Sequence, residues 1–284
     1  MLRKRGNKYY NSLDQEVDTE FTRRLRIPPA YKNVTVYLNH PKWLARGYDD
    51  KDRMQVIYKE TAVKKRDKEK YCRIVQFAKS LPKIERDINK NLRSKNYIEH
   101  DIALILTIMM KCHFRIGNDI HRRRYNSFGI STIEQKHVKH LENYTKIKFR
   151  GKKGVENCCI IRNKEIIKHL KEHRKTSIFN VTGKQVNNYL SKYSITTKDF
   201  RTWYANLYFI EEVQKIKLED KEINRKRQIK GIINIVAKRL QHTAAICKKS
   251  YIDNELINNV IKGNQFKGSA REVLKEYGRR HCRR

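Results

Sequence analysis

Over about the first sixty residues the regular apolar positions fall on every second residue, whereas beyond residue 70 they fall on every third or fourth. In RIPPAYKNVTVYLN, Val34, Val36 and Leu38 alternate with polar residues, the period of a strand, and Pro28 and Pro29 precede it where no ladder hydrogen bond is needed. The Gly/Asp-rich turn of ARGYDDKDRMQVIYKE leads into a second β-prone run, Gln55 to Tyr58. The leading twenty or so residues are polar and read as loose, and KETAVKKRDKEK (59–70), with almost nothing apolar, reads as a linker. Ile74, Phe77, Ala78 and Leu81 then share one helix face, which Ile84 and Ile88 continue beyond Pro82, so a kink or break is expected there. IALILTIMM (102–110), bounded by His100–Asp101 and Lys111, predicts a buried helix within 100–114 and is too short to span a bilayer. YTKIKFRGKKGVENCCII predicts a hairpin, because Ile147 and Phe149 alternate with Lys146, Lys148 and Arg150 ahead of a turn holding Gly151 and Gly154. Helices are expected around 164–172, 183–192, 198–212 and 221–240, with more toward the C-terminus. The fold class is therefore α+β, with a small β-rich N-terminal domain (1–64) and a mainly helical domain (65–284) that carries one hairpin.

Charge changes the picture most. Lys and Arg total 66 against 30 Asp and Glu, a net +36 spread along the whole chain. Such a field repels itself and calls for a polyanion, with nucleic acid first and a membrane surface second, and no basic amphipathic anchor supports the membrane. At 38% hydrophobic and 10% aromatic residues the chain can bury a core, which excludes a disordered polycation. The cysteines at 72, 112, 158, 159, 247 and 282 form no C-x-x-C pair, and nothing ahead of them reads as a signal peptide. They are expected to be free thiols in a reducing, intracellular compartment rather than a disulfide frame or zinc site. No Asp/Glu cluster has metal spacing, so neither metal nor cofactor is expected. Abundant Lys, Ile and Asn suggest an AT-rich genome such as that of a large DNA virus.

Four stretches carry candidate chemistry. TTKDFRTWYANLYF starts a helix whose core stripe is Phe200, Trp203, Tyr204, Leu207 and Tyr208, yet its mouth holds the cations Lys198 and Arg201. Cations at that end are disfavoured by up to about 1 kcal/mol each. Either an anion completes the site, as phosphate does at helix N-termini, or Asp199 offsets the charge and the long side chains bend into water. Arg115 in HFRIG follows the buried helix, Lys152 sits at the hairpin tip in FRGKKGV, and KRLQHTAAICKKSYI holds His242 and Tyr251. Taken singly, each is explained as well by a solvated face, a capping histidine or an ordinary tyrosine.

Taken in order, they are more specific. F-R-x-G around Arg115, F-x-G-K ending at Lys152, K-D-x-R ending at Arg201 and H-T-x(7)-Y from His242 to Tyr251 resemble the poxvirus-type and bacterial type IB DNA topoisomerases. RIPPAY and GYDDKDRMQVIYK resemble that family's DNA-clamping β domain, so the likeness runs from about residue 24 to about 255. The resemblance implies that Tyr251 attacks a phosphodiester of duplex DNA, holds the 3′-phosphate covalently while the DNA swivels, and is released on religation without ATP or metal. It implies transition-state stabilisation by Arg115, Arg201 and His242, a general acid at Lys152 with Lys153 as the alternative, and DNA contacts from Gln55, Tyr58 and Lys198. A monomer with no obligate protein partner is expected. The chain departs from the family where a Pro usually lies between His and Tyr: here stands Ala244, with no Gly or Pro until Gly263, and a bend is expected between 243 and 249. IGNDIH, from 116 to 121, departs from the poxvirus pattern, so no cleavage preference carries over. No residue declares itself as the base for the tyrosine. A tyrosine recombinase remains a rival, although it has H-x-x-R where this chain has Lys198-x-x-Arg201 and a helical N-terminal domain. A non-enzymatic DNA-packaging protein would explain the charge alone.

Overall fold

The computed structural model describes residues 1–172 and 177–282 and divides into two compact units, Met1–Lys70 and Tyr71–Arg284. The N-terminal unit contains β1 (Leu2–Arg5), β2 (Lys8–Tyr10), the single-turn α1 (Glu20–Arg23), β3 (Lys32–Val36), β4 (Trp43–Tyr48) and β5 (Met54–Tyr58). The strands pair antiparallel in the order β2-β1-β3-β4-β5. Alternation turns Val34, Val36 and Ala45 inward, where Leu2, Tyr9 and Ile27 complete a small core. Both expected strands are present, but Leu38 lies beyond β3 and is exposed. The leading residues are not loose, because β1 and β2 form a hairpin across Gly6, whose φ of 57° suits a residue without Cβ. Only Leu2 and Tyr9 of this hairpin are buried, too little apolar signal to betray a strand pair.

α2 spans Glu60–Asn91. The expected linker is thus helical from Glu60 onward. Its Glu, Lys and Arg residues are good helix formers, and Glu60 pairs with Lys64 one turn away at 2.9 Å. Nor does Pro82 end the helix. It sits on the exposed face, where the carbonyl deprived of a donor can be hydrated.

The rest of the second unit is α3 (Tyr97–Cys112), α4 (Asp119–Tyr125), β6 (Val138–His140), β7 (Thr145–Arg150), β8 (Glu156–Ile161), α5 (Lys164–Glu172), α6 (Gly183–Ser191), α7 (Thr197–Gln214), α8 (Glu222–Arg239), α9 (Ala244–Ser250), α10 (Asn254–Ile261) and α11 (Ala270–Cys282). The predicted hairpin is β7–β8, with β6 added on the β7 side. Leu104, Ile105, Leu106 and Ile108 of α3 and Phe200, Trp203, Phe209 and Ile210 of α7 are almost entirely buried in one core. At about 1.5–3 kcal/mol per large apolar side chain, this core holds the two helices whose ends build the site described next. The fold is α+β, as expected. The cysteine expectation needs correction, since Cys112 at the end of α3 is disulfide-bonded to Cys159 on β8. Cys158, which is exposed, and Cys247, which is buried, form no disulfide. Among the described residues no helix is long and apolar enough to cross a membrane.

Candidate active site

One cleft of about 850 Å³ in the second unit is lined by Arg115, Lys152, Lys153, Lys198, Arg201, His242 and Tyr251, among others. Each arrives from a different turn or helix end. α3 stops at His113, which is left-handed at φ 56°, and the chain then carries Arg115 past the buried Phe114. Its loop is fixed from the backbone: Ile130 N–H donates to the Arg115 carbonyl at 2.9 Å and Ser131 N–H to that of Ile116 at 2.7 Å. A side chain on Gly129 would overlap Gly117 and the Arg115 carbonyl, and Gly117 itself has φ 100°, so both glycines are required by this close approach. In the β7–β8 turn, Gly151 N–H donates to the Val155 carbonyl at 2.8 Å. The Asn157 amide lies where a Gly151 side chain would be, and the turn places Lys152 and Lys153 on the cleft.

The mouth of α7 is not an empty anion cradle. Asp199 accepts from the Thr196 backbone N–H and hydroxyl, both at 2.8 Å, and Asn187 accepts from Thr197 N–H at 2.9 Å. Asp199 also lies 3.6 Å from Arg73. Lys198 is exposed at the cleft rim. Arg201 is the fifth residue of the helix, just past its first turn, and is 2% exposed. Its guanidinium donates to the His113 carbonyl and, at 2.6 Å, to the Leu240 carbonyl. These are the cap residues that end α3 and α8, where carbonyls lack helical partners and the dipole favours a cation.

His242 and Tyr251 lie on either side of α9. α8 closes at Leu240, Gln241 is left-handed at φ 53°, and Thr243 caps α9. The bend therefore falls at 240–243, at the leading edge of the expected interval, and Ala244–Ser250 is helical with Tyr251 on the cleft. The His242 and Tyr251 rings stack with centroids 5.0 Å apart and planes 13° apart. Arg201 Cζ lies 5.3 Å from the Tyr251 ring centroid. The fully buried Asn206 of α7 holds the tyrosine backbone, donating to the Tyr251 carbonyl at 3.0 Å and accepting from Asp253 N–H at 2.8 Å. Sequence reading passed over Asn206, although a lone amide within an apolar helix was a usable signal.

Electrostatics follow from this packing. Burial opposes ionisation of the Tyr251 phenol, but the charges of Arg201 and Arg115 outweigh it and hold its pKa below the usual tyrosine range. Burial, reinforced by the Arg201 charge, lowers His242 to about 4. His242 is therefore neutral at pH 7, and since its Nδ1 faces the Thr243 carbonyl at 3.2 Å, Nδ1 carries the proton. Burial brings Arg201 down to about 10, so it stays cationic. Arg201 Nε and His242 Nε2 are buried without a hydrogen-bond partner among the described atoms, a cost of about 1–3 kcal/mol each unless a ligand meets them.

Gln55 and Tyr58 belong to the N-terminal unit. Gln55 donates to Asp49 at 2.9 Å, and the exposed Tyr58 ring lies 5.6 Å from the Arg66 guanidinium. No carboxylate is among the described residues that line the cleft. Among the described residues the one group with metal-ligand spacing is His100, Asp101 and His169, at the opposite end of α3 from Arg115.

Comparisons with known proteins point to the family that the motifs resemble. The family model described as eukaryotic DNA topoisomerase I, catalytic core, matches residues 51–276. DNA topoisomerase 1B of Acanthamoeba polyphaga mimivirus is 33% identical, over 87% of this chain and 82% of that protein. DNA topoisomerase 1 of Rabbit fibroma virus (strain Kasza) is 22% identical over 89% of this chain and 85% of its own length. DNA topoisomerase 1B of Vaccinia virus (strain Western Reserve) is 24% identical over 92% and 87%.

Proposed function

Because this chain belongs to the DNA topoisomerase I family and is a type IB enzyme, we propose that it relaxes supercoiled duplex DNA through a 3′-phosphotyrosyl intermediate at Tyr251. The observation that carries the mechanism is the gathering of Tyr251, Arg115, Arg201, His242 and Lys152 on one cleft. The two arginines lower the cost of forming the phenolate, so the missing base is replaced by a field already in place. The phenolate oxygen attacks phosphorus in line with the 5′-oxygen, and the charge that gathers on the phosphoryl oxygens is met by Arg115 and Arg201. An incoming phosphate also raises the His242 pKa, allowing the imidazole to gain a proton at Nε2 and donate from it. Lys152, or its neighbour Lys153, protonates the departing 5′-oxygen. Religation runs the same steps backward, with the bond energy kept in the phosphotyrosine, so neither ATP nor metal is called for. Lys198 at the rim, and Gln55 and Tyr58 on the N-terminal sheet, serve as DNA contacts outside the reacting group. The N-terminal domain, residues 1–64, is the clamping domain of this reading, and its antiparallel sheet is unlike the helical N-terminal domain of a recombinase.

Relaxation of a supercoiled plasmid in EDTA without ATP is the test, with wild type set against Tyr251→Phe. Wild type relaxes and the variant does not. A strict requirement for magnesium or ATP, or full relaxation by the variant, contradicts the proposal.

A further inference from the structure

We infer that Gln241 is a positioning residue whose side chain sets the Lys152 hairpin against the element bearing Arg115, and so governs proton delivery to the leaving 5′-oxygen. The inference rests on the reading of the cleft given above. Its first support is conformational. Gln241 has φ 53°, a region that glycine enters freely and an L-residue rarely adopts, at the joint between α8 and His242. A side chain at such a position is explained by what it touches.

The second support is what it touches. Gln241 Nε2 donates to the Cys112 carbonyl at 3.1 Å, at the end of α3, and Gln241 Oε1 accepts from Cys158 N–H at 2.5 Å, on β8. β8 is an edge strand, so its outward N–H groups have no neighbouring strand to receive them, and the glutamine amide takes that place. One amide thus spans two elements 46 residues apart (158 − 112). The third support is that the same seam is closed covalently by Cys112–Cys159. Arg115 follows Cys112 by three residues, Lys152 lies six residues before Cys158, and His242 is next to Gln241, so a shift at this seam moves the leaving-group acid relative to the groups around Tyr251.

The experiment measures single-turnover cleavage by wild type, Gln241→Gly and Gln241→Glu, with a dithiol reductant present so that the Cys112–Cys159 link does not mask loss of the side chain. Gly keeps the backbone conformation without the bridge, and Glu keeps the acceptor while losing the donor. Two DNAs are compared, one with the ordinary 5′-oxygen at the scissile linkage and one with sulfur there. A thiol leaves as the thiolate, with a pKa near 8.5, and needs no acid. On the oxygen substrate Gln241→Gly should be slower by about 10- to 100-fold, the scale of an ångström-level misplacement, with Gln241→Glu between it and wild type. On the sulfur substrate both should fall within about threefold of wild type, because the acid is no longer used. Equal slowing on both DNAs, which marks a general structural loss, overturns the inference, as does no slowing on either. A wild type that forms no Tyr251-dependent adduct on the oxygen substrate overturns the underlying reading instead.

Discussion

Arg201 donates to the Leu240 carbonyl at 2.6 Å, so a cation on α7 is held by the end of α8 at the joint leading to His242. The same guanidinium reaches the His113 carbonyl, two residues before Arg115. A single buried cation therefore links the helix ends that deliver two other cleft residues, Arg115 and His242. The first consequence concerns Arg201→Lys. An ammonium cannot span both carbonyls in the planar fork of a guanidinium. Single-turnover DNA cleavage should fall by about 10²–10³, as for loss of one transition-state donor, and the thermal midpoint should drop as well.

The phenol of Tyr251 titrates below its usual range because of Arg201 and Arg115. Replacing Arg115 with Ala removes one of the two charges while leaving the Arg201 bridge. The rising limb of the pH–rate profile for cleavage should then move to higher pH than in wild type. An unmoved limb would mean that the phenol's ionisation does not govern the step.

Stability should depend on pH through the buried histidines. His113 and His242 are both lowered to about 4 from 6.5, chiefly by burial. For a depressed histidine the unfolded chain binds the proton first, so the stabilisation is full above pH 6.5 and is lost as pH falls toward about 4. Denaturant unfolding across that window should show declining stability, with uptake of up to one proton per histidine on unfolding. Flat stability between these limits would place the two imidazoles in water.

The Cys112–Cys159 bond closes a loop with a sequence separation of 47. Cys159→Ser should lower stability by about 2–4 kcal/mol through the freedom it returns to the unfolded chain. A melt of this variant against wild type reads this directly, whereas a dithiol reductant also breaks the disulfide that Cys72 makes.

Gly129→Ala should act on Arg115 without touching it. The added methyl would meet Gly117 and the Arg115 carbonyl, so the loop must open. Cleavage should fall with the DNA-binding constant little changed, since the charge remains.

Much of this was legible in the sequence, for definable reasons. The β7–β8 hairpin and α5, α6 and α8 were visible because their burial is one-sided and periodic, and α7, buried on nearly every face, was visible through its run of Phe, Trp, Tyr and Leu. The five cleft residues were found because their local motifs occur in order. Other features were hidden by their physics. The β1–β2 hairpin buries only Leu2 and Tyr9, and the first turns of α2 are helical through propensity rather than an apolar stripe. The bend before His242 is made by Gln241 in a left-handed conformation, which neither Gly nor Pro announces. Sequence shows Arg201 as a charge near a helix N-terminus, whereas its partners are backbone carbonyls that end two other helices. The disulfide joins residues far apart in sequence, outside any short cysteine motif.

The most direct measurement is the identity of the covalent link. DNA nicked by the wild-type protein is trapped with denaturant, digested, and the nucleotide-bearing peptide sequenced by mass spectrometry. The account predicts a phosphodiester from the DNA 3′ end to the oxygen of Tyr251. A link through another residue, a 5′-phosphate attachment, or no covalent adduct from protein that relaxes plasmid would contradict it.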